Sequence, residues 1–223
     1  MTLGTPRLHY RVLDSTSARA RQLAERGAPH GTLVTAAEQT AGRGRQGRSW
    51  SAPRGRSLLC SLVVRDPPKL LPLAAGLAVA EVVGGDALVK WPNDVLLDGR
   101  KVAGILVEGR PGEGWAVVGI GINVAMRETD FPRELRDRAA GLGSSPEEIE
   151  PTLVALLERL ARWISAPDDA VLAALRARDA LLGRQVRWAG GEGEGAGVDD
   201  HGRLLVSVNG GQVALDAGEV HLA

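Results

Sequence analysis

The chain has 223 residues, 44% hydrophobic and 24% charged, with Lys+Arg and Asp+Glu both numbering 27. That suffices for one ordinary domain with a real core and a small appendage. Zero net charge argues against a protein that lives along nucleic acid, which is usually basic throughout, and no stretch approaches the roughly 18 uninterrupted apolar residues of a membrane span. The one cysteine, Cys60, cannot form an internal disulfide, so packing is its expected role. No charged-then-apolar leader is visible, and a soluble cytoplasmic protein is expected.

Leu8–Leu13 reads as a first strand. Asp14-Ser15-Thr16-Ser17 follows, and Ala18–Arg26 has helical composition; a hydroxyl in front of such a segment is an N-cap signal. Gly31–Ala37 is β-rich and delivers Glu38 and Gln39 to the next stretch. That stretch, Thr40–Trp50, holds three glycines and three arginines. Between Glu38 and Asp66 there are six arginines and no acid. Guanidinium forks match phosphate or carboxylate oxygens two at a time, and glycine lets the backbone approach a ligand. A nucleotide phosphate is the natural guest; a solvated Gly/Arg linker is the plain alternative.

Ser57–Val64 is a continuous apolar run of strand length, hence a buried strand. A helix is predicted over Leu70–Val83, stopped by Gly84-Gly85 and with Pro72 near its start. Leu88–Lys90 is a short strand running into Trp91-Pro92-Asn93-Asp94. Val95–Leu97 and Arg100–Glu108 read as a hairpin across Asp98-Gly99, a favoured two-residue turn. Trp115–Val124 is a further strand. Met126–Pro146 is polar and loop-like. Pro146–Ile164 is a helix with Glu147 and Glu148 in its first turn and leucines at helical spacing, and another helix is predicted over Asp168–Leu182. Short strands with glycine turns then follow: Gln185–Trp188, Gly195–Val198, Leu204–Val208, Val213–Leu215 and Val220–Leu222. Such a small β module needs a neighbour for support, so docking on the main domain is expected.

Four stretches taken together resemble one family. Gly42-Arg-Gly-Arg-Gln-Gly-Arg-Ser-Trp50 is similar to the signature loop of the biotin protein ligases. Lys90-Trp-Pro-Asn-Asp94, Lys101-Val-Ala-Gly-Ile-Leu-Val-Glu108 and Gly119-Ile-Gly-Ile-Asn-Val124 resemble its three other motifs, in the same order. The resemblance implies an α+β protein. Residues 1–180 would form a catalytic domain with a mixed sheet and flanking helices of the class II aminoacyl-tRNA synthetase type. Residues 181–223 would form an SH3-like barrel. The family-like part begins near Leu8, which leaves no room for the winged helix-turn-helix of some members, so no DNA binding is expected.

The implied reaction joins biotin to ATP as biotinyl-5′-AMP, then passes biotin to a lysine of a biotin carboxyl carrier protein. The resemblance makes Arg43, Arg45 and Lys101 the catalytic group, clamping the biotin carboxylate and the nucleotide phosphate. Ser15, Thr16, Ser17, Gln39, Gly42, Gly44, Trp50 and Gly104 join them around biotin. Ser17 stands where the family usually has asparagine. Arg48, Lys90, Asn93 and Asn123 would face the nucleotide, and Asp94 is read as structural or as lying behind a metal. Mg²⁺ is implied as the phosphates' counter-ion, with no certain protein ligand. A homodimer is compatible with the family. A lipoate ligase of the same fold and an Arg-Gly RNA-binding protein are the alternatives; the Gly-Arg-Gly-Arg loop disfavours the first, and the scarcity of aromatics among the arginines disfavours the second.

Overall fold

The computed structural model describes residues 3–109, 112–216 and 218–222, so the outermost positions of the two expected domains lie outside it. Its centre is β7 (Trp115–Ile122), buried along its whole length. An apolar run with no polar face can only be a strand covered on both sides. β7 pairs antiparallel with β3 (Leu58–Arg65) on one side and β6 (Arg100–Gly109) on the other. Outward from β3 lie β2 (Leu33–Ala36) and β1 (Arg7–Tyr10), which are parallel to each other; outward from β6 lie β5 (Asp94–Leu97) and β4 (Leu88–Lys90). The result is one mixed, seven-stranded sheet. The β5–β6 turn has positive φ at both Asp98 (51°) and Gly99 (74°), as the Asp-Gly pair predicts.

Helices cover both faces. On one lies α2 (Leu71–Val83), whose first nine residues apart from Pro72 are all buried up to Ala80. It is apolar all round because it sits between the sheet and α3 (Ile149–Ile164), with α4 (Asp168–Arg176) alongside. Leu77, Leu153, Leu156 and Leu160 are almost fully buried there, and truncating any one to alanine costs roughly 2–5 kcal/mol. The other face carries α1 (Thr16–Glu25), whose Ala20 and Ala24 pack on Val34, Val63, Trp115 and Val117. α1 begins two residues earlier than composition suggests, because Ser15 caps it: its Oγ accepts from Ala18 N at 3.3 Å.

After Gly183 a second sheet forms, in the order β11-β10-β9-β8-β12, from Gln185–Trp188, Gly191–Val198, Leu204–Val208, Gly211–Leu215 and His221–Leu222 (β8 to β12). It docks as expected: Val186, Val198, Leu204, Val206 and Val220 share a core with Leu70, Leu71 and Leu73, and Trp91 Nε1 donates to Gly202 O at 3.0 Å.

Several boundaries differ from the reading of the sequence, two of them by four residues or more. The helix expected to reach Leu182 ends at Arg176. Residues 178–180 instead bond to the edge of β4, with Val89 N to Arg178 O at 2.8 Å and Ala180 N to Val89 O at 3.0 Å. Competition from a sheet edge outweighs helix propensity there. Conversely, β9 starts at Gly191, four residues early. Its glycines look like a linker but lie against other backbone: a Cβ on Gly195 would meet Leu181 O at 2.1 Å, and one on Gly193 would meet Ser207 O at 2.3 Å.

Candidate active site

The segment between β2 and β3 folds back on itself. Trp50 N donates to Gly42 O at 2.9 Å, Gly44 N donates to Arg48 O at 2.7 Å, and Arg43 bridges Ser49. Gly42 is required at the base, where a Cβ would come within 2.3 Å of Trp50 O. The Gly44 N–H is therefore spent inside the loop rather than turned outward. The loop is a small closed unit, and it lies over the α1-side face of the sheet. There the strands present Gly104, Gly119 and Gly121, which leave a hollow in the surface.

Trp50 lies in that hollow. A Cβ on Gly121 would meet Trp50 Cε2 at 2.5 Å, and one on Gly104 would meet Cζ3 at 2.9 Å. The indole Nε1 is buried with no hydrogen-bond partner among the described residues. Leaving such a group unpaired costs about 1–3 kcal/mol. The remaining free space is about 110 Å³, below the roughly 300 Å³ at which ligand pockets begin.

Arg43, Arg45, Arg48, Lys90 and Lys101 line this cavity, against the carboxylates of Asp94 and Glu219. Among the described residues, each of these cations but Arg43 has a partner. Lys101 Nζ lies 2.6 Å from Asp94 Oδ1 and 5.6 Å from the centre of the Trp50 ring. Lys90 Nζ lies 3.9 Å from Asp94 Oδ2. Arg45 Nη1 donates to Asn93 Oδ1 at 3.2 Å, and Arg48 pairs with Glu219. Burial holds the Lys90 ammonium below the ordinary lysine value of 10.5; Asp94 and Glu219 pull it back up, and Lys101 and Arg48 push it further down. The backbone around these groups is fixed. Asn93 Nδ2 donates to Ile105 O at 2.9 Å, Lys101 N donates to Arg138 O at 2.7 Å, and Ala140 N donates back to Lys101 O at 3.0 Å.

At the opposite end, Thr16, Ser17 and Gln39 line the cavity, and Ser61 lies behind them. The fold thus brings together Thr16, Ser17, Gln39, Arg43, Gly44, Arg45, Arg48, Trp50, Lys90, Asn93, Lys101 and Gly104. Three expected residues do not line the cavity. Ser15 is occupied as the cap of α1, Gly42 packs at the base of the loop against Trp50 O, and Asn123 is buried with its Nδ2 on Ala140 O at 3.1 Å. Asn123 secures the segment that holds Lys101. The sequence reading also missed Ser61, a polar residue inside an apolar strand, and the wall formed by Gly218, Glu219 and Val220. The first left a signal, a serine interrupting Leu58–Val64; the second left none.

A model of the biotin/lipoate A/B protein ligase family matches residues 9–125. The chain belongs to that family. The biotin--[acetyl-CoA-carboxylase] ligase of Mycobacterium tuberculosis is 37% identical over 215 residues, covering 85% of this chain and 78% of its own. Its counterpart from Paracoccus denitrificans is 37% identical over 236 residues, covering 93% and 96%. Among solved structures, the biotin protein ligase from Aquifex aeolicus in complex with biotin and ATP superposes with a TM-score of 0.82 at 28% identity. That match covers 98% of this chain and 100% of the other.

Proposed function

We propose that the chain is a biotin protein ligase: it activates biotin with ATP and transfers it to a lysine of a biotin carboxyl carrier protein. The observation that carries this reading is one cavity with a neutral hydroxyl end and a cationic end, covered by the Gly/Arg loop. In the first step a biotin carboxylate oxygen attacks the α-phosphorus and pyrophosphate leaves. Two anions must meet, and their repulsion is the main obstacle. Arg43, Arg45 and Lys101 would take the carboxylate and α-phosphate, exchanging Asn93 and Asp94 for the ligand. Arg48 and Lys90 would take the remaining phosphates. Positioning and preset positive charge supply the rate. In the second step the amine of the carrier lysine attacks the acyl carbon, AMP leaves, and the amine's proton passes to solvent. Loop closure keeps water from the anhydride meanwhile.

Asp94, Glu219 and the Asn93 amide oxygen are hard oxygen donors at the cationic end, and they would suit Mg²⁺ brought in with the phosphates. When bound, the ion neutralises charge on the pyrophosphate. We further read the seven-stranded sheet with its helices as the class II synthetase-type domain of residues 1–180. The five-stranded sheet is then the SH3-like domain of residues 181–223, and its Glu219 reaches the site.

The family model also embraces lipoate ligases, and the names of the relatives favour biotin. The deciding experiment mixes the protein with labelled biotin, ATP and a carrier domain. Label transferred to the carrier, with pyrophosphate release that needs biotin and is not supported by lipoate, is expected. Lipoate-dependent release in its place would reverse the assignment.

A further inference from the structure

The proton count in the hydroxyl cluster is fully determined. Thr16 N donates to Gln39 Oε1 at 2.8 Å, so the amide is oriented with its oxygen toward α1. Thr16 Oγ1 lies 3.0 Å from that same oxygen. The amide oxygen has no hydrogen, so the one hydroxyl proton of Thr16 points to it. Ser61 Oγ is 2.8 Å from Thr16 Oγ1; Thr16 has no second proton, so Ser61 donates. Ser17 Oγ is 3.1 Å from Ser61 Oγ. The Ser61 proton is already used, so Ser17 donates in turn. The direction Ser17 to Ser61 to Thr16 to Gln39 is the one arrangement in which all three contacts are hydrogen bonds.

Ser17 is left with lone pairs only. It overhangs a bare strand, where a Cβ on Gly119 would come within 2.4 Å of its Oγ. Ser61 itself is fully buried and does not line the cavity. It occupies the register position opposite Gly119, directly behind Ser17. We propose that Ser61 is a positioning residue that fixes Ser17 as the acceptor for a ring N–H of biotin, an inference that rests on the ligase reading above. The ureido ring offers two N–H donors, and a lone hydroxyl could meet them with its own proton. Drawing that proton down to Ser61 removes the wrong rotamer and polarises the acceptor. A short serine thus works at position 17 with a second serine behind it.

The test is steady-state pyrophosphate release with Ser17→Ala, Ser61→Ala and the double variant. Each single change is expected to raise the KM for biotin about fivefold or more, the range for one lost hydrogen bond, with the KM for ATP unchanged and the thermal midpoint lowered by only a few degrees. The double variant should be no worse than the weaker single, because both changes break one chain. A biotin KM raised less than about fivefold in either Ser17→Ala or Ser61→Ala, or losses that multiply in the double variant, overturns the proposal. Should Ser61→Ala fail to fold, Ser61→Cys, which keeps the side-chain volume and weakens the hydrogen bond to Ser17, is read by the same KM criterion. Wild-type protein without biotin-dependent pyrophosphate release would instead remove the ligase reading.

Discussion

At the α1 end of the cavity Thr16, Ser17, Gln39 and Ser61 hydrogen-bond one another, whereas at the loop end five cations face two carboxylates. The first end is organised before any ligand arrives. Its groups are neutral, and their mutual bonds cost nothing electrostatically. The second end holds charges that repel one another and that find temporary partners in Asp94, Asn93 and Glu219. A ring can therefore be recognised by a rigid surface, while an anion pair is recognised by exchange of partners. Changes at Arg43, Arg45 or Lys101 should fall on the rate, changes at Lys90 on ATP affinity, and changes at the floor or the hydroxyl end on biotin affinity.

The largest effect is expected from Arg45→Ala. Pyrophosphate release should fall by about 100- to 1,000-fold, the scale for losing one preset charge-stabilising donor. The thermal midpoint should hold, since Arg45 gives up one hydrogen bond to Asn93. Near-normal release would erase the distinction between the two ends. Next comes Gly121→Ala, at the boundary between them. Its Cβ would lie 2.5 Å from the Trp50 ring and push the indole off the floor. A KM for biotin raised about tenfold with an intact fold is expected, and an unchanged KM would show that the indole leaves the floor without cost.

The pH dependence separates the ends more finely. Burial has lowered the Lys90 pKa below 10.5, and a bound triphosphate favours the ammonium. As pH rises through the lowered value the ammonium is lost, so the KM for ATP should climb before pH 10.5 is reached, while the KM for biotin follows a different course. Lys90→Arg keeps its charge throughout and should flatten the ATP curve. A rise that persists unaltered in that variant assigns it to another group. The smallest and simplest measurement is trypsin cleavage at Arg43, Arg45 and Arg48. Biotin with ATP should slow it about tenfold by holding the loop shut; equal rates with and without ligands would mean that the loop does not close over them.

Much of this architecture could be read from residue order. The apolar runs of β3 and β7, the all-apolar α2 and the Asp98-Gly99 hairpin are local patterns with local causes, and the arginine loop announces an anion. What could not be read depends on partners distant in the chain. Ser61 looks like a flaw in an apolar strand until the register sets it opposite Gly119. Glu219 belongs to the last turn of the second sheet and meets Arg48 only because that sheet docks beside Trp91. The end of α4 is decided by the open edge of β4, which no helix propensity contains. Asn123 lies in a motif that resembles a nucleotide contact, yet its amide is used on Ala140.

Cys60 sits in β3, 3% exposed, and burial pushes its thiol up to about 12. As the chain's one cysteine, it is a built-in clock for opening of the structure around it. Because Cys60 also borders the cavity, a thiol-reactive dye added to native protein reports opening of the loop above it or of the strands beside it, and its labelling rate should slow as biotin and ATP fill the site.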